Sequence, residues 1–171
     1  MPNDAAPNLE TLRRLNDAGY GFYRNPTRVR ADDLLVRALT ADSLHRTAAV
    51  LLGAEQKLRR AIPAPSRENP FPDPALLATA RVLKTFQERI ASLETGLRGA
   101  AALPDRDFSS VIPSEGARSN LVKLDAALLD RVTVVETGAT AALDPIFPSL
   151  LDAFEQVMRD RDNLTDVGSA A

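Results

Sequence analysis

The 171-residue chain has no cysteine, no tryptophan and a single histidine. Without cysteine there is no disulfide staple, thiolate nucleophile or thiolate-held metal. One histidine, His45, is too few for a zinc site, for the paired Glu-x-x-His motifs of metal-carboxylate bundles or for a recognisable Ser-His-Asp set. The spacings of helical chorismate-mutase-like and di-iron proteins are not met either. There is no Walker loop and no G-x-S-x-G elbow. Gly19 and Gly21 begin a G-x-G-x-x-G, but Arg24 stands where its third glycine belongs. Asp105, Asp107 and Ser109 open like a calcium loop, but Ser110 and Gly116 occupy the places that need Gly and Glu. No metal, cofactor or catalytic residue is therefore expected.

Long apolar runs are also missing, so no membrane span is expected. The opening MPNDAAPNLE lacks the basic and apolar regions of a secretory signal, which sets the expectation at a cytoplasmic location. Aromatics number only eight, and valine and isoleucine are few. What fills the chain instead is 27 alanines and 24 leucines, the strongest helix formers. Arginine outnumbers lysine 18 to 3, a composition that suggests a GC-rich bacterial genome.

The hydrophobic periodicity predicts an all-α fold, a four- to five-helix antiparallel bundle with Pro-rich and long irregular connections, spanning residues 1–162 and followed by a flexible polar tail at 163–171. A short helix begins after Pro7-Asn8, and Gly19 ends it. The region from Arg30 to Ala61 forms one helix or two, since Thr40 to Ser43 offers an N-cap midway. Its stripe is Leu44, Ala48, Leu51, Glu55, Leu58 and Ile62, broadened by Leu52. Five prolines in residues 63–74 mark a stiff connector, and Asp73-Pro74 reads as an N-cap with proline at N1. Leu76, Leu83, Ile90 and Leu97 then repeat every seven residues, with Phe86 and Leu93 alongside.

Residues 98–117 read as a long irregular connection, a candidate lid or linker. Beyond it Leu121, Leu128, Val135 and Ala142 repeat at seven, widened by Val132 and Ala139. Asp125 occupies the equivalent place at the first repeat, and Leu124 is expected to supply the apolar contact there instead. The β-branched run at 130–140 is read as helix, with Gly138 permitting close helix approach. Ser149 and Asp152 resemble a capping box for a last helix carrying Leu150, Leu151, Phe154, Val157 and Met158.

Net charge is −2, which argues against generic nucleic-acid binding, but it is polarised: +3 over residues 1–62 and −6 over residues 100–171. One stretch concentrates unusual chemistry. AGYGFYRNPTRVRADD brings Tyr20, Phe22 and Tyr23, with faces suited to stacking, beside Arg24, Arg28 and Arg30, whose forked donors suit phosphate or carboxylate. These six are the candidate ligand-binding residues. The same residues also fit an elbow whose aromatics plug the end of the bundle while Arg28 or Arg30 pairs with Asp32 or Asp33.

Taken together, these features lead to the expectation of a non-enzymatic helical-bundle protein acting through a protein partner or self-association, in an adaptor, regulatory or scaffold role. The alternative is a protein responsive to a small phosphate-bearing or acidic ligand through the 20–30 loop. A weaker alternative is nucleic-acid binding through the basic N-terminal segment.

Overall fold

Among the described residues six α-helices account for most of the chain, and side-chain caps start two of them. The computed structural model describes residues 6–17, 19–64, 66–67, 71, 73–104 and 108–166, and no strand occurs among them. The helices are α1 (Ala6–Asn16), α2 (Val29–Ala61), α3 (Pro74–Gly99), the one-turn α4 (Phe108–Val111), α5 (Glu115–Gly138) and α6 (Phe147–Asp166), with a 3₁₀ turn at Ala139–Ala141 after α5. Helices α1, α2, α3, α5 and α6 pack against one another around one apolar core, to which α4 contributes Phe108. No helix is long and apolar enough to cross a membrane among the described residues.

Asp73 caps α3 as its sequence predicts, accepting a hydrogen bond from the Ala75 amide at 2.8 Å with Pro74 in the first turn. Ser114 caps α5 in the same way, accepting from the Ala117 amide at 3.1 Å. That cap starts α5 inside the stretch expected to be irregular, and α4 takes up a further part of it. Helix α2 runs unbroken through the expected mid-helix cap. The Thr40 hydroxyl donates to the Val36 carbonyl at 2.8 Å and the Ser43 hydroxyl donates to Glu136 on α5, so neither is left to cap a second helix. Helix α6 starts at Phe147, two residues before the proposed Ser149 cap, and runs on through Asp166 into the expected tail. Residues 167–171 lie outside the described residues.

The heptad rows face inward. Leu83, Ile90 and Leu97 on α3, and Leu121, Leu128, Val132, Val135, Ala139 and Ala142 on and after α5, are all buried. Leu44 and Leu51 are fully buried on α2, whereas Leu52 faces outward, because one helical step is 100° and carries it off the stripe. The expected substitution of Leu124 for Asp125 does not occur. Asp125 stays in the row and is completely buried. Gly138 lets α6 approach: a Cβ there would lie 3.0 Å from Leu150 Cδ1 and 3.4 Å from Phe147 Cδ2.

Charged pairs tie the helices across the core's rim. Arg46 on α2 meets Glu136 on α5 at 2.6 Å, and Arg98 on α3 meets Asp42 on α2 at 2.7 Å. Arg89 on α3 meets Asp152 at 2.6 Å and Glu155 at 2.5 Å, both on α6. The one histidine, His45, is exposed and faces Glu94 at 3.4 Å.

Candidate functional site

The turn between α1 and α2 is built on glycine and asparagine chemistry. Asp17 accepts the Gly19 amide at 2.9 Å, and Asn25 accepts the Thr27 amide at 3.1 Å. Gly21 adopts φ +67°, and Tyr23, a residue with a Cβ, adopts φ +60°. Left-handed backbone costs a non-glycine residue about 1–2 kcal/mol. Two buried hydrogen bonds offset that cost: the Tyr23 amide donates to Asp32 at 3.1 Å, and its hydroxyl donates to Asp125.

This backbone divides the six candidate residues. Phe22 and Tyr23 point into the core, where Tyr23 stacks on Phe108 with ring centres 6.1 Å apart. Tyr20 is half-buried, packs on Phe22 at 4.8 Å and lies within 6 Å of the guanidiniums of Arg14 and Arg28. Arg28 also donates to the Tyr20 hydroxyl at 3.0 Å. Arg24 and Arg30 are exposed. The structure thus joins Phe22 and Tyr23 to the core, joins Tyr20 to Arg28, and leaves Arg24 at the mouth of a groove.

That groove, about 130 Å³, lies between the turn and the first turns of α5. Its charged lining is Arg24 and Arg118 against Asp17 and Glu115, two of each sign. Arg118 rests over the Phe108 ring at 5.6 Å, and its buried Nε has no hydrogen-bond partner among the described residues.

Beneath the turn lies a buried network of charges. Asp33 and Asp125 are fully buried, Arg161 is 1% exposed and Arg37 is 7% exposed. Arg161 Nε donates to Asp125 Oδ1 at 2.5 Å, and its Nη2 donates to Asp33. Arg37 Nε lies 3.0 Å from both Asp33 oxygens, and the Leu103 amide donates to Asp33 at 2.9 Å. Two carboxylates thus meet two guanidiniums, contributed by α2, α5 and α6. The turn joins through Tyr23, and the segment after α3 joins through Leu103.

The environment sets each protonation state. Burial pushes the Asp125 carboxyl above its ordinary range, against the pull of Arg161 and the Tyr23 hydroxyl. Burial also raises the Asp32 carboxyl, opposed by the Tyr23 amide and by Arg28. The Tyr23 phenol is raised well above 10.0 by burial and then by the neighbouring Asp125, so it remains a neutral donor. Burial works to lower Arg161, but Asp125, Tyr23 and Asp33 outweigh it and hold the guanidinium charged.

Sequence reasoning missed Asp33, Arg37, Asp125 and Arg161 as a set, although their positions carry a signal. Phe147, Phe154 and Arg161 repeat at seven, as do Asp125, Val132 and Ala139, so both charges sit on apolar rows. No group of three or more metal-ligating side chains occurs among the described residues. No known protein family, curated protein or solved structure matches the chain.

Proposed function

We propose that this is a non-enzymatic helical-bundle protein whose helices run antiparallel and present an apolar face for self-association. The pairing of α2 with α3 supports the antiparallel arrangement. Arg37 neighbours Leu97, Asp42 meets Arg98, His45 meets Glu94, and Glu55 lies beside Lys84. From Asp42 to Glu55 along α2, the partners run back along α3 from Arg98 to Lys84.

One observation carries the functional reading. The buried ionisable groups of the network neutralise one another, while an exposed groove elsewhere is lined mainly by apolar side chains. Leu143 and Ile146 are 57% and 58% exposed in the turn between α5 and α6, and Val82 on α3 is 44% exposed. Val82, Phe86, Leu143, Pro145 and Pro148 line a groove of about 420 Å³ in which Asp144 is the one charged residue.

A second copy of the chain is the occupant this face favours. An isologous contact covers both copies' apolar faces at once, and a nearly uncharged surface meets itself without repulsion. Fully burying a leucine or isoleucine side chain is worth about 1.5–3 kcal/mol. Light scattering over a concentration series tests this. The expected mass moves from 18.5 kDa toward twice that value, and Leu143→Glu with Ile146→Glu holds it at the monomer. A wild-type monomer at every concentration overturns the proposal.

The second reading, a small phosphate-bearing or acidic ligand, draws support from Arg118, which lines the groove beside Arg24 and whose Nε has no hydrogen-bond partner among the described residues. Thermal shifts with inorganic phosphate and a nucleotide panel test it. Stabilisation lost in Arg118→Gln is expected, and no stabilisation by any member removes the reading.

A further inference from the structure

A third groove, about 250 Å³, lies between the first half of α2 and the end of α3. Its lining is Leu34, Ala38, Leu97 and Ala100 with Arg37 and Arg98. Two guanidiniums and no carboxylate enter it. The groove at the α1–α2 turn balances its charges, and the one between Glu55, Arg59 and Lys84 contains a carboxylate.

Arg37 is the unusual member. Its side chain is 8% exposed, and its hydrogen bonds to Asp33 run through Nε alone. Asp33 also serves Arg161 and the Leu103 amide, and Arg161 is itself shared with Asp125. Asp32, the neighbouring carboxylate, is turned to the Tyr23 amide. Arg37 is thereby anchored through Nε, and it lines the groove. Arg98 flanks the mouth, its Nε on Glu94 at 3.1 Å and one terminal nitrogen on Asp42 at 2.7 Å. Its position in the last turn of α3 also offsets the negative end of that helix, which otherwise opposes an anion there. Leu34, 46% exposed, supplies the open apolar wall.

We propose that this groove binds a small aliphatic monocarboxylate, its carboxylate against Arg37 and Arg98 and its hydrocarbon chain along Leu34, Ala38, Leu97 and Ala100. Charge complementarity argues for the acid, and the uncharged remainder of the lining argues for the chain. A preformed guanidinium loses little freedom on binding, which favours affinity in so small a site. A forked donor suits a planar carboxylate in particular.

Octanoate and octan-1-ol, both below their aggregation limits, form the test pair, read by chemical-shift perturbation on the full chain. Octanoate is expected to shift resonances of residues 34–38 and 97–100 in a saturable manner, at least tenfold more tightly than the alcohol. Leu34→Asp and Arg98→Met alter exposed side chains, leave the helical circular dichroism unchanged and weaken octanoate at least tenfold. Three results overturn the site: equal affinity for acid and alcohol, saturation unaffected by both substitutions, or shifts centred on Val82, Leu143 and Ile146 instead. No shift up to the solubility limit also overturns it.

Discussion

Replacing Arg161 by methionine removes the member of the buried network that joins both carboxylates. The substitution keeps most of the side-chain volume, so the loss is electrostatic and not a cavity effect. Asp33 retains Arg37 and the Leu103 amide, but Asp125 is left with the Tyr23 hydroxyl alone. Removing one partner of a buried ion pair costs about 3–5 kcal/mol, because the other charge stays desolvated. Domains of this kind have a total stability of about 5–15 kcal/mol. At about 2–4 °C per kcal/mol for a chain of this size, the midpoint falls by roughly 6–20 °C. Urea titration followed by circular dichroism measures the loss directly, provided the m-value is unchanged. Adding Asp125→Asn to Arg161→Met neutralises the orphaned carboxylate, so the double variant is expected to be more stable than Arg161→Met alone. A loss under about 1 kcal/mol, the range of exposed pairs, refutes the reasoning.

The raised Asp125 carboxyl sets a sign for pH dependence: the folded state binds its proton more readily than the unfolded chain, so this residue adds stability as pH falls from its raised value toward 3.8. Comparing wild type with Asp125→Asn across that window, the wild type gains relative to the variant as pH drops; the opposite slope contradicts the assignment. In Tyr20→Phe the only tyrosine is Tyr23, and its phenolate absorbance is expected to appear together with the loss of helical circular dichroism at high pH. Ionisation that precedes unfolding removes Tyr23 from the core. Gly53→Ala, with open space around its Cβ, is expected to stabilise α2 by about 1 kcal/mol in denaturant titration. Gly138→Ala forfeits that gain against Leu150 and Phe147, and equal gains at the two sites contradict the close approach of α6.

Helix existence was legible wherever apolar residues recurred at helical spacing, as with Leu83, Ile90 and Leu97. Boundaries were legible where a cap had no rival, as at Asp73. They stayed open where a hydroxyl found a partner elsewhere: Thr40 and Ser43 bond a preceding carbonyl and a distant carboxylate, and periodicity is blind to both. The charge network escaped because the sequence was read for apolar content. An aspartate in an apolar row looks like a lapse in the row until a guanidinium on another helix is seen to meet it. Tyr23 was found by its type and crowding, but its inward direction depends on a left-handed backbone that nothing local demands, since both stabilising partners, Asp32 and Asp125, lie beyond the turn.

Amide hydrogen exchange on dilute and concentrated samples tests the proposed self-association most directly, because it reports where copies meet as well as whether they do. Added protection at high concentration is expected to be confined to residues 78–86 and 142–148 and to be abolished by Leu143→Glu with Ile146→Glu. Exchange independent of concentration, or protection gained elsewhere on the chain, contradicts it.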